Sequence, residues 1–131
     1  MLLLKFIFAI LLFWDPSEPR DEEFTQIDPI LSAIESGSSS DLARYFNPSI
    51  SLNINGQQGD YSKTQAELVL REFFKKNPPI DFSLIFKSET TSTHRTYVGE
   101  YSGGSGRFKV FIKASQIEDS LKVYSLDFVK S

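Results

Sequence analysis

The chain has no cysteine. Disulfides, thiolate metal sites and cysteine nucleophiles are excluded together. It has one histidine, His94, set in a run of Ser and Thr beside Arg95. There it reads as an exposed turn residue, because no nucleophile or carboxylate accompanies it. With one His and no Cys, a zinc site would rest on carboxylates, a poor match to that metal. No metal and no cofactor is expected. A basic surplus is also missing: 14 Lys and Arg stand against 17 Asp and Glu, for a net charge of −3. The basic residues are scattered among acids, so the stripe that a nucleic-acid partner needs is absent. Nor is there an apolar run of the ~20 residues required to span a bilayer.

What is present is aromatic. Phe accounts for 12 residues and Tyr for 5, against a single Trp. At 131 residues, with 40% hydrophobic and 24% charged, the chain is long enough for one domain with one modest core. The N-terminal "MLLLKFIFAILLFW" carries Lys5 and then an uninterrupted apolar stretch, and an acidic, Pro-containing run follows it. Residues 1–14 read as a signal peptide or N-terminal anchor, which predicts an exported (periplasmic or secreted) protein. Membrane contact is expected only through this segment, if it is uncleaved. Residues 15–27 read as an acidic linker and residues 28–131 as the folded domain.

Asp28-Pro29 has the form of a helix start: Asp caps free N–H groups and Pro fits the first helical position. Ile30, Leu31 and Ile34 share a face, and Gly37 supplies the stop. Ser38 and Asp41 have capping-box spacing for a second helix that buries Leu42, Tyr45 and Phe46 and ends at Asn47-Pro48. Ile50, Leu52 and Ile54 alternate as a strand, and Asn55-Gly56 and Gly59-Asp60 form a turn or short hairpin. "YSKTQAELVLREFFKKNPP" is the most ordered stretch. Ser62 and Gln65 form a capping box; Ala66, Val69, Leu70, Phe73 and Phe74 line one face; Asn77-Pro78-Pro79 forbids continuation. Each residue there has a structural task, so the stretch reads as a core helix. Four strands follow, with inward sets Phe82/Leu84/Phe86, Tyr97/Gly99/Tyr101, Phe108/Val110/Ile112 and Tyr124/Leu126/Phe128. Gly99 suggests a bulge or sharp bend. Helices first and a meander last predict an α+β fold, a long helix packed on a curved antiparallel sheet.

Asp60, Asp81, Glu100 and Asp127 lie nearest the strands, but no two pair as an acid and a base, and no catalytic residue is assigned. The aromatic set is more suggestive. Tyr45, Phe86, Tyr97, Tyr101, Phe108 and Tyr124 all take inward positions, either as a filled core or as an apolar pocket with polar tips. On the opposite parity, Ile85, Val98, Phe111 and Val123 point outward and form a candidate homodimer face.

Several pieces of the chain resemble a small exported family of unknown function in the nuclear-transport-factor-2-like, cystatin-like superfamily. They are Tyr61-Ser62-Lys63, Gln65-Ala66-Glu67, Phe73-Phe74, Asn77-Pro78-Pro79, Tyr97-Val98-Gly99 and Gly106-Arg107-Phe108. Where members of the family often carry His-Lys-Gly, this chain has Phe86-Lys87-Ser88. The resemblance implies a cone of helices against a curved sheet, and no established activity. Three functions remain open: a non-enzymatic module that binds a small apolar ligand or a protein partner, a ketosteroid-isomerase-like or dehydratase-like enzyme, and a purely structural interaction domain.

Overall fold

The helix that follows Ser62 organises the domain. In the computed structural model, which describes residues 22–131, Ser62 has an extended backbone and accepts from the Gln65 amide at 3.2 Å. The Gln65 side chain accepts from the Ser62 amide at 3.3 Å, which completes the capping box expected from the spacing. The helix runs Lys63–Lys76 and buries Ala66, Leu70, Phe73 and Phe74. Before it come a helix at Glu22–Ser36 (α1), a short one at Ser39–Ala43 (α2), and strands Phe46–Ile54 (β1) and Gln57–Ser62 (β2); Lys63–Lys76 is therefore α3. After it come Asp81–Glu89 (β3), His94–Gly103 (β4), Gly106–Ile117 (β5) and Ser120–Lys130 (β6). The strands form one six-stranded sheet in the order β2-β1-β6-β5-β4-β3, with the helices packed against one face.

The sheet is mixed. The meander and the β1–β2 hairpin are antiparallel, but β1 lies parallel to β6, with Leu52 opposite Leu126 and Ile54 opposite Phe128. The hairpin turns on Asn55 and Gly56, both at positive φ (51° and 95°), between the paired Ile54 and Gln57. That is the two-residue turn whose twist suits a hairpin.

Two expectations at the N-terminal side need correction. The first helix begins upstream of Asp28, so Pro29 lies inside it. Ile27 is fully buried with Ile30 and Ile34, and this helical stripe outweighs the local start signal. Residues 22–27 are thus part of α1 rather than a linker; the segments 1–14 and 15–21 lie outside the described residues. The second helix closes at Ala43, and Phe46 opens β1 opposite Val123. Its Ser38 cap holds, accepting from the Asp41 amide at 3.2 Å.

Two bulges decide which side chains face the helices. In β3, Leu84 pairs with Gly99 but Phe86 pairs with Val98, so Ile85 is the extra residue. Parity flips there, and Phe86, expected inside, is on the outer face and 56% exposed. Gly99 stands opposite this point because the Phe82 ring lies over it; a Cβ there would come within 2.5 Å of the ring. The second bulge is in β6, where Lys113 pairs with Ser125 and Ala114 with Val123. Tyr124 is the extra residue. Its ring leaves the inner face and meets His94 edge-on at 5.6 Å, while Val123, expected outside, is fully buried. The outer face therefore carries a row made by the pairing Phe86, Val98, Phe111, Asp127, Asn53, Gln58.

The core is the aromatic group around Phe73. Its ring centroid lies 4.4 Å from that of Phe128, 5.2 Å from Phe108, 5.6 Å from Phe74 and 5.8 Å from Tyr101. Truncation there removes contacts with two layers at once. Phe73→Ala is expected to lower stability by about 3–5 kcal/mol, and Ser62→Ala by about 1 kcal/mol through loss of the cap. Urea unfolding measures both; an unchanged midpoint in Phe73→Ala would contradict the packing described.

Asp127 gives a second expectation. Burial raises its carboxyl above the ordinary carboxylate value, and the charge of Lys113 opposes the shift. A carboxyl raised on folding binds more protons folded than unfolded, so its favourable contribution is present below the unfolded value and lost as pH rises. Asp127→Asn should therefore be more stable than wild type at pH 7, with the gain fading by about pH 3, below the ordinary Asp value. Urea midpoints at the two pH values test this, and an equal difference at both would rule it out.

Candidate functional site

The last turn of α3 is held to the β4–β5 turn by one residue. Asn77 is buried, 7% exposed. Its amide donates to the Phe73 carbonyl at 2.8 Å, and its side-chain Nδ2 donates to the same oxygen at 3.2 Å. Its own carbonyl accepts from the Tyr101 hydroxyl, and its Oδ1 accepts from the Ser105 hydroxyl. Burial pushes the Tyr101 phenol above its ordinary value, which keeps it protonated and a donor. The glycines of "YSGGSG" allow this approach: a Cβ on Gly103 would lie 3.0 Å from that of Asn77, and one on Gly104 would lie 3.1 Å from the Pro78 ring. Next in the chain, Pro79 sits against Gly37 at the corner between α1 and α2. The Asn77-Pro78-Pro79 segment thus ends α3 and ties it to two other parts of the fold.

Beside this clasp opens a cleft of about 410 Å³. The second half of α3 supplies Val69, Glu72, Phe73 and Lys76; the β1–β2 hairpin supplies Leu52, Ile54, Gln57 and Tyr61; Ser105, Phe108 and Lys130 close it. Its floor is apolar, because Leu52, Phe73 and Phe108 are core residues seen from one side. Its rim is polar. Glu72 is exposed, with Oε2 3.8 Å from the Lys75 ammonium. The Tyr61 ring leans over Gly59, within 3.0 Å of where a Cβ would stand. A volume of this size with an apolar floor and a few polar groups is of the kind that admits a small ligand.

The six aromatic residues singled out from the sequence do not converge. Phe108 lines the cleft. Tyr97 and Tyr101 are fully buried in the core. Tyr45 is half-buried and borders a separate shallow depression with Ser32, Asp41 and Arg44. Phe86 and Tyr124 are on the far face of the sheet, carried there by the bulges. Of the outward set, Ile85, Val98 and Phe111 keep that side and Val123 does not. His94 is exposed at the β3–β4 turn, its Nδ1 3.1 Å from the Thr91 hydroxyl and 3.0 Å from that of Thr93, and it does not line the cleft. Among the described residues, no three His, Asp or Glu side chains cluster as a metal site would require.

The sequence reading missed Leu52, Ile54, Tyr61 and Val69 as wall residues. A signal for them existed. In the hairpin, Ile54 pairs with Gln57 and Leu52 with Gly59, so apolar inward positions stand beside polar or empty ones. Such a face is only half covered.

Comparisons with known proteins agree on the fold. The structure of a DUF4783 family protein from Bacteroides ovatus ATCC 8483 matches with a TM-score of 0.74 at 20% identity, over 79% of this chain and 93% of that one. A domain of unknown function with a cystatin-like fold from Nostoc punctiforme PCC 73102 gives 0.67 at 10% identity, over 88% and 80%. An NTF-2-like protein of unknown function from Silicibacter pomeroyi DSS-3 gives 0.63 at 15% identity, over 84% and 93%. No curated protein matches the sequence. The family model described as "Domain of unknown function (DUF4783)" matches residues 27–129, from the buried Ile27 of α1 almost to the end of β6, and the chain belongs to that family.

Proposed function

We propose that the protein is an exported, non-enzymatic binding module that takes a small, largely apolar ligand in the cleft between α3 and the β1–β2 hairpin. The observation that carries the reading is the cleft itself: a concave surface with an apolar floor, walled by a regular helix and a hairpin. A preformed site of this kind lowers the ordering cost of binding. The enzyme alternative asks for a carboxyl group held in an apolar pocket. Glu72 is the carboxylate among the lining residues, and it is exposed and paired with Lys75. The rest of the inner face is filled by Phe73, Tyr101, Phe108 and Phe128 in mutual contact, so the cleft at the edge of the core is where a ligand would enter.

A neutral fluorescent probe, N-phenyl-1-naphthylamine, should bind the protein and brighten. Ile54→Asp puts a charge on the apolar wall at a half-buried position and should weaken the probe at least tenfold, while His94→Ala should leave it unchanged. Equal binding by all three proteins would remove the cleft as the site.

Export is supported by the short apolar core of residues 6–14 followed by an acidic segment. N-terminal sequencing of protein isolated from its native host is expected to show a start downstream of Trp14. Cytoplasmic protein that begins at Met1 would overturn it.

A further inference from the structure

The charges at the cleft rim are unequal. Glu72 has a counter-ion in Lys75. Lys76 and Lys130 also line the cleft, from α3 and from the end of β6, and among the described residues neither has a carboxylate at ion-pair distance. Lys76 has a local reason to be where it is, since a basic side chain in a last helical turn complements the helix dipole. Lys130 has no such reason. Its stem lies across Gly106, whose φ is +143° and where a Cβ would stand 3.2 Å from the lysine Cε. A side chain at Gly106 would displace that stem. Two cations from distant parts of the sequence therefore line one apolar floor, and among the described lining residues the carboxylate, Glu72, is paired with Lys75.

We infer that the cleft selects an amphipathic anion: an apolar body seated on Leu52, Phe73 and Phe108, with a single carboxylate at the rim between Lys76 and Lys130. This rests on the binding reading above and adds the class of ligand. Lysine suits the task because its ammonium is a compact point charge on a flexible stem and imposes no planar geometry on its partner. The apolar floor gives affinity for the tail, and the two ammonium groups give the discrimination between a charged and a neutral head.

The test uses decanoate and decanol, which share a chain and differ in charge. Both are titrated below micelle concentration into the ¹⁵N-labelled full chain, and the amides of Val69, Ser105 and Phe108 are followed by NMR. Decanoate is expected to bind at least tenfold tighter than decanol, with the difference shrinking as salt is added. The double variant Lys76→Gln, Lys130→Gln should bind the two equally; both lysines are exposed, so the fold should persist, and an unchanged spectrum elsewhere verifies it. Equal binding of the two ligands by wild type would overturn the anion inference and leave the cleft standing. Binding of neither would overturn the cleft and the inference together. A decanoate preference that survives in the double variant would overturn the assignment to these lysines.

Discussion

Asn77 must be satisfied where it is buried, and much of the domain is arranged around that requirement. A buried amide or carbonyl without a partner costs about 1–3 kcal/mol. Asn77 answers each of its polar groups from a different direction: its own helix through Phe73, the core through Tyr101, and the β4–β5 turn through Ser105. The two prolines that follow remove two amide donors that would otherwise need partners in the same tight corner. The result fixes where α3 stops relative to the sheet. That stopping point sets one end of the cleft, because Phe73, Asn77 and Ser105 line it as well as forming the clasp.

The inner face shows how the same residues serve packing and opening. Phe73 contacts both Phe128 and Phe108 and reaches the cleft floor. Toward β3 and β4 the sheet is covered, by α1 over Phe82 and by the Tyr101 ring against Phe74 and Phe82. Toward the β1–β2 hairpin, where α3 packs on β1 and β2, the cover thins because β2 offers Gln57, Gly59 and Tyr61 on this side, so the helix and the hairpin leave the cleft between them. The opening is a consequence of composition at the sheet edge, where apolar positions give way to polar ones.

Local signals were legible in the sequence and long-range ones were not. The capping box at Ser62, the stop at Asn77-Pro78-Pro79 and the Asn55-Gly56 turn each depend on residues within a few positions of one another, and each was readable. The bulges were not. "LIFKS" and "KVYSL" place apolar side chains on both parities, so either face satisfies the alternation rule, and only the pairing with β4 and β5 chooses. That single ambiguity moved Phe86, Val123 and Tyr124 across the sheet. Pro29 misled in the opposite way: a correct local preference yielded to the buried stripe through Ile27, Ile30 and Ile34. The cleft was invisible because its walls come from α3, the hairpin and the end of β6, and no sequence window contains all three. Aromatic content pointed to a pocket, but Tyr97 and Tyr101 serve the core.

The parallel pairing of β1 with β6 joins the first strand of the domain to its last. During synthesis the β1–β2 hairpin and α3 emerge long before residues 120–130 exist. Until β6 forms, Leu52 and Ile54 have no neighbour on that edge, and Phe73 lacks the Phe128 ring it packs against. Helix α3, with its own cap and stop, can form early; the sheet closes only when the final strand slides between β1 and β5. A nascent chain of this fold therefore carries an unpaired apolar strand edge from the emergence of β1 until β6 docks, the condition in which chaperones or a holding factor act before folding is complete.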